Sequence, residues 1–354
     1  MQNIRLPFYA KLSLILLSIV LLLFLLYVGQ GVFIPLFFAI YISFLLYPLA
    51  VFLECRLSCA RSVSSFLSVF SFIIVLGAFL YLITYQLLLF SPDLPVLQTR
   101  FNNWLSEAQA WVSSEYHIDS TLQMEYVNRT GNTILANAGN MVSGLLIDVS
   151  VIIFWVVIIF IYTYFLLNHR RLILSFIISL FPGGSSGKVT NVVMETRSVA
   201  YNYLRGLFIE FVVVAIANCA AFSIMGVPYW LLLGLMAAVL NFIPYIGIIV
   251  ATAMVMLVCM MHSSVALAFQ AGAVLFILHV LDANILLPRV VGHKVKMNAL
   301  VTIISVLIGG AVWGVAGMFL SIPFSATLKI IFDNVEGLKP WSMIMGIEDV
   351  KAKK

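Results

Sequence analysis

The sequence predicts an all-α, polytopic helical membrane protein with about eight transmembrane segments, two of them broken or re-entrant. Three observations predict it. First, 63% of the 354 residues are hydrophobic and only 9% are charged, with a mean hydropathy of +1.12, whereas a soluble domain carries roughly a quarter charged residues. Second, the charges are segregated. No Lys, Arg, Asp or Glu occurs between Lys11 and Glu54, Arg61 and Asp93, Asp148 and Arg170, Glu210 and Asp282, or Lys296 and Lys329. Third, the gaps have membrane lengths. A helix needs about 20 apolar residues to cross the hydrocarbon, so the first gap holds two crossings, the second and third one each, the fourth about three, and the last one long or broken crossing. Backbone polar groups in lipid must be bonded internally, which selects helices. The short alternating segments of a barrel do not occur.

The first helix runs over Leu12–Val28, behind the basic residues Arg5 and Lys11. It is too long for a signal peptide's apolar region and no A-x-A-like site follows, so it reads as an uncleaved span. It ends near Gly29-Gln30-Gly31, and a second helix returns over about Val32–Leu53, with Pro35 and Pro48 near its ends, where proline disrupts least. The loop Glu54–Arg61 carries Arg56 and Arg61, which places it and the N-terminus on the cytoplasmic side. A third helix, about Ser65–Phe90, leads outward and completes an N-terminal three-helix region, residues 1–90.

Residues 91–144 form an extracytoplasmic amphipathic helical segment by this reading. The stretch from 91 to Asp148 holds six acidic residues and two basic ones. Leu97, Phe101, Trp104, Leu105, Ala108, Trp111 and Val112 recur at helical spacing, as do Val127, Ile134, Leu135, Ala138, Met141 and Val142. Such faces suit a membrane surface, a neighbouring subunit or the chain's own helices. The triplet Asn128-Arg129-Thr130 matches a glycosylation sequon by pattern alone.

Residues 145–333 are read as the transmembrane core. A fourth helix, about Leu145–Leu167, ends at His169-Arg170-Arg171. After Pro182 comes an amphipathic helix with Asn191, Glu195, Ser198, Asn202 and Arg205 on one face, expected to lie along the inner leaflet. A fifth helix then rises over about Gly206–Met225. Two segments break the pattern: Trp230–Met261 and Asn298–Phe332, each about thirty residues or roughly 45 Å of helix. One contains Asn241-Phe242-Ile243-Pro244-Tyr245-Ile246-Gly247; the other contains Gly309-Gly310, Gly314, Gly317 and Pro323. Re-entrant hairpins opening toward opposite faces keep Arg289, His293, Lys294 and Lys296 inside, and likewise the cytoplasmic tail, residues 334–354. Tilted, kinked single spans are the alternative. Irregular backbone at membrane depth survives only beside protein or a wet cavity, and paired broken segments point to a transport site.

Few residues within the spans carry chemistry. Asp282 is the acid deep in the fourth gap, with His279 on the same helix face and Asn284 just beyond. A buried intramembrane acid binds a cation, exchanges a proton, or pairs with His279 or Arg289 to fix the helix. Glu210 lies near the start of the fifth helix, where an acid also suits the helix dipole. Asn218 and Gln270 read as interhelical hydrogen-bonding amides. Asn241 adjoins a backbone break, where its amide and freed carbonyls can coordinate a solute. Gly310-x-x-x-Gly314 is the spacing that lets helices approach closely or hinge. The run from Pro182 to Val189 falls one residue short of a P-loop and lacks the magnesium-binding hydroxyl. No cofactor is indicated. No His-Glu-x-x-His occurs and no Gly-x-Ser-x-Gly has a plausible His partner, so no enzyme is indicated either. The net charge of +5 belongs to loop orientation and membrane lipids, not to nucleic acid.

These residues carry a resemblance. Tyr203-Leu204-Arg205-Gly206, Gly226-Val227-Pro228, Gly234-Leu235, the run Asn241–Gly247, Asp282-Ala283-Asn284, Leu287-Pro288-Arg289-Val290-Val291-Gly292-His293-Lys294, Gly309-Gly310, Gly314, Gly317 and Ile322-Pro323 follow one another in this order. The ordered set resembles the autoinducer-2 exporter-like (PerM-type permease) transporters of bacteria over most of the chain. Two positions depart from the family pattern: Leu207 stands where Gln is frequent, and Asp282 where Glu is usual. The resemblance implies a secondary transporter of the bacterial cytoplasmic (inner) membrane, assembled as a homo-oligomer. It implies either a small polar signalling molecule exported from the cell or a monovalent cation, sodium, exchanged for protons. With both termini cytoplasmic, Asn241, Pro244, Tyr245 and Gly247 would shape one half of the pathway. The Gly309–Gly317 break, with Gly310 and Gly314, would shape the other; Asp282 would couple to a cation or proton, and His279 and Asn284 would lie on the same pathway. Arg205, Glu210 and Gln270 are further coupling or structural candidates. An oligomeric channel and a non-transporting membrane scaffold are the rival classes.

Overall fold

The computed structural model describes residues 7–93, 149–181, 186–244, 246–290 and 297–346, with isolated positions between 95 and 114. Most of the 91–144 segment, Tyr245, the basic residues His293, Lys294 and Lys296, and the terminal lysines lie outside them. Among the described residues every regular element is helical. The helices are α1 (Phe8–Val28), α2 (Gln30–Arg56), α3 (Arg61–Phe90), α4 (Val149–Asn168), α5 (Arg170–Ser179), α6 (Ser186–Ile224), α7 (Trp230–Leu240), α8 (Ile246–His262), α9 (Val265–Leu281), α10 (Leu287–Val290), α11 (Ala299–Asn334) and α12 (Lys339–Met345). Six stretches are long and apolar enough to cross a membrane by length and composition, one of them running from α9 through α10 and another being the whole of α11, or seven with the α4–α5 pair, which bends by 70°. The expected eight is therefore an approximate count. None of α1 is buried, and its leucines and phenylalanines face outward, as lipid-facing side chains do.

By contacts the chain forms two compact units. One comprises Met1–Phe70, Val157–Gly206 and Val291–Lys354; the other comprises Ser71–Val156 and Leu207–Val290. In the first unit α1 and α2 are joined by the single residue Gly29, where the sequence suggested a three-residue break. Ser64, Ser65 and Ser68 of α3 are fully buried, and the Ser64 hydroxyl bonds the Ala50 carbonyl of α2. Small hydroxylated residues allow this close approach of two helices. Tyr41, Ala200 and Leu320 form a core joined by Phe37, Phe38 and Trp313.

The segment after Asn298 is a hairpin. Asn298 starts α11 as a side-chain cap, its Oδ1 accepting from Leu300 N–H at 3.0 Å. Trp313 and Gly314 then leave helical geometry. Ser325 Oγ donates to Ser305 Oγ at 2.9 Å, although twenty residues of straight helix would separate them by about 30 Å. The two arms pack back to back through Gly309 and Gly317, where either added Cβ would overlap the other's carbonyl. The tip is held by Trp313 Nε1, which donates to Leu26 O of α1 at 2.9 Å.

The other unit has its own hairpin. The segment expected to break at the Asn241–Gly247 run does so, giving α7 and α8 of 11 and 17 residues. At about 16 and 25 Å, neither spans 30 Å of hydrocarbon. Leu233 and Ala237 of α7 pack on Ala251, Val255 and Val258 of α8, with Ala268, Ala271 and Leu275 of α9 in the same core. At the end of α8, the Asp93 carboxylate accepts from Tyr229 OH and lies 3.2 Å from Nε2 of His262, the last residue of that helix, a network the sequence did not suggest.

One element differs from expectation. The amphipathic helix and the fifth helix are a single 39-residue helix, α6. Gly206 costs helix stability but breaks no hydrogen bond, and no proline lies between Ser186 and Ile224. The junction therefore stays helical.

Candidate functional site

The second unit brings three distant polar side chains together, and each is placed by a local feature. Glu210 sits on α6, and both it and Asn218, two turns on, face inward. Asn241 ends α7. Pro244 disfavours helix for the residue before it and cannot donate a backbone bond. The chain therefore tightens there, Phe242 N bonding Val239 O at 3.1 Å and Ile243 N bonding Leu240 O at 2.9 Å, both three-residue closures. Gly247 is buried where a Cβ would overlap the Leu240 carbonyl, which lets α8 return against the end of α7. Asp282 opens a five-residue π-helical turn, Asp282–Leu286, between α9 and α10. Such turns insert an extra residue and recur at functional sites.

The geometry is compact. Asn241 Nδ2 donates to Asp282 Oδ2 at 3.0 Å and to Glu210 Oε1 at 3.2 Å. Both carboxyl groups are 6% exposed and Asn218 is 1% exposed. The amide nitrogen must face the two acids, because a carbonyl oxygen there would meet two acceptors. One amide thus spends both N–H bonds on two acids. Glu210 Oε2, Asp282 Oδ1 and Asn218 Oδ1 are buried with no partner among the described residues. Buried acceptors without donors are costly, and two carboxylates out of water repel. The arrangement therefore suits a positive occupant. A cavity of about 20 Å³ is lined by Asn218, Asn241, His279 and Asp282, with Val214, Leu275 and Leu278 as apolar walls. That is room for about one water-sized particle. Among the described residues no group of three or more His, Cys, Asp or Glu could hold a metal ion.

Comparison with known proteins gives the family. A family model described as AI-2E family transporter matches residues 16–337. The chain belongs to the AI-2E transporter family. It is 26% identical over 313 residues to YrrI of Bacillus subtilis (strain 168), provisionally named a transport protein, covering 85% of this chain and 86% of that one. It is 31% identical over 124 residues to YhhT of Escherichia coli (strain K12), named in the same way, covering 35% and 36%. It is 29% identical over 169 residues to PerM of the same strain, provisionally named a permease, covering 48% of each.

Within this AI-2E family chain the sequence candidates fall into three groups. Asn241, Asp282, Glu210 and His279 share the second unit, the first three in direct hydrogen-bond contact and His279 on the cavity wall. Pro244 and Gly247 shape the break beside them, and Tyr245 lies outside the described residues. Others lie apart. Asn284 is exposed and bonds the Val280 carbonyl at 2.8 Å, Gln270 is exposed on α9, and Arg205 is exposed in the first unit. Gly310 and Gly314 belong to the first unit's hairpin, where a Cβ on Gly310 would come 2.7 Å from Met318 Cε. The sequence marks Asn218 only as a packing amide. The signal for it was present, since Glu210, Val214 and Asn218 stand at i, i+4 and i+8 on one face.

Proposed function

We propose that this AI-2E family transporter is a secondary transporter of the bacterial inner membrane that exchanges sodium for protons at Glu210, Asn241 and Asp282. The observation that carries the reading is one half-buried amide shared by two buried carboxyl groups. A single proton relieves the charge repulsion by making one acid a donor. A desolvated sodium ion does the same by taking the partnerless oxygens of Glu210, Asp282 and Asn218. Either occupant satisfies the same atoms, so the two compete, and competition for one site is the physical basis of exchange. The broken α7–α8 hairpin carries Asn241, so movement of that break alters the tie between the acids. Alternating access through the two hairpins then needs no nucleotide. The family's name favours a second reading, in which the same cluster couples proton entry to export of a small polar organic solute.

Sodium added to the purified full chain in weakly buffered detergent solution tests the competition. A pH indicator should report acidification as protons leave the cluster, and Asp282→Asn should abolish it. Absence of proton release from the unaltered chain contradicts sodium–proton exchange and leaves the solute-export reading. A channel or a scaffold gives no cation-dependent release.

A further inference from the structure

The first unit contains a second, larger cavity of about 680 Å³, between the C-terminal half of α2 and the start of α6. Its walls divide in character. Phe44, Pro48 and Phe52 make one side apolar, while Arg56 and Arg197 reach the other, with Tyr47 and Ser198 between them. The arginines are arranged over rings. The Arg197 guanidinium lies 4.1 Å from the Tyr47 ring centre, Arg170 5.3 Å from the same ring, and Arg56 5.8 Å from the Phe52 ring. Stacking leaves guanidinium N–H groups free in the ring plane for an anion. Only Arg170 is neutralised here, by Glu54 at 2.6 Å. Among the described residues Arg56 and Arg197 have no carboxylate partner.

We propose that this cavity binds an anionic phospholipid of the surrounding bilayer, its phosphate on Arg56 and Arg197 and its acyl chain along Phe44, Pro48 and Phe52. Two arginines on one ring repel each other, and among the described residues the Glu54 ion pair offsets only Arg170. A phosphodiester supplies the missing charge and accepts from planar guanidinium forks, a pairing arginine makes well. Size separates a lipid from a free anion. The volume lies in the range of organic-ligand sites, about 300–1,000 Å³, and an inorganic phosphate would leave the apolar wall uncovered. Basic pockets between membrane helices hold anionic headgroups by this chemistry. The proposal is independent of the Glu210–Asp282 reading, because no residue is shared.

The full chain, purified from mixed phosphatidylglycerol and phosphatidylcholine micelles, can be assayed for retained lipid by mass spectrometry. The unaltered protein should retain phosphatidylglycerol over phosphatidylcholine by about ten-fold or more. Arg56→Gln with Arg197→Gln should erase that preference. Arg171→Gln with Lys188→Gln removes the same charge outside the cavity and should leave it intact. Equal loss in both double variants would mean general surface attraction and overturn the site. If the first double variant does not fold, phosphate competition on the unaltered protein decides. Retention of phosphatidylglycerol in millimolar inorganic phosphate supports the lipid, and displacement by phosphate, or no lipid preference at all, overturns it.

Discussion

Asn241 ties Glu210 to Asp282, and neutral isosteres separate the chemistry of those acids from their packing. Asp282→Asn and Glu210→Gln keep volume and remove a charge whose burial is costly. Each should therefore hold or raise the thermal midpoint in detergent while flux falls to the level of protein-free liposomes. A matching fall in midpoint would instead mark a structural ion cluster. Asn241→Leu removes both donors from two buried acids and should destabilise by about 1–3 kcal/mol for each bond lost, read as a lower midpoint. Away from the cluster, burial and the Asp93 carboxylate push the Tyr229 phenol up to about 12 from 10.0. The folded state thus favours the protonated phenol, so its stabilising contribution is complete below pH 10 and lost as pH rises through about 12. The midpoint difference between the unaltered chain and Tyr229→Phe should be constant from neutral pH to pH 10, shrink above it, and fall again in acid as Asp93 is protonated. Asp282 and Asn241 were legible because a polar group in a long apolar gap stands out. The Asp93–Tyr229–His262 network was not, since its members lie far apart in sequence and each is ordinary at a helix end.

The two hairpins each turn on glycine, for different reasons. Gly314 adopts φ 60 and ψ −140, a combination open in practice to glycine alone, and any side chain there costs about 1–3 kcal/mol. Gly247 and Gly317 are needed for space, since a Cβ at either overlaps a facing carbonyl. Gly247→Ala and Gly317→Ala should therefore each destabilise by about 1–3 kcal/mol or more. Gly310→Ala meets only the flexible end of Met318 and should be milder, and ranking the four by midpoint checks the assignment. The breakers Pro244, Gly309 and Gly314 made both broken segments visible in the sequence. Continuity of α6 was not visible, because a change from amphipathic to apolar pattern at Gly206 looks like a boundary although the backbone bonds never stop. The π turn at Asp282 was equally hidden. One inserted residue changes no composition and shows only as geometry.

At the scale of the whole molecule, the separation of charged loops from apolar spans fixed the class, and the family match over residues 16–337 agrees with it. The division into two units was less accessible, because each is assembled from three or two separate stretches of chain that local pattern cannot associate. In the proposed mechanism a buried pair of acids couples a cation to protons. The measurement that tests it most directly is flux in proteoliposomes carrying an imposed pH gradient, with sodium present or absent. Sodium movement driven by the proton gradient and abolished by Asp282→Asn is expected. Flux unchanged by that substitution, or no sodium movement under any gradient, would contradict it.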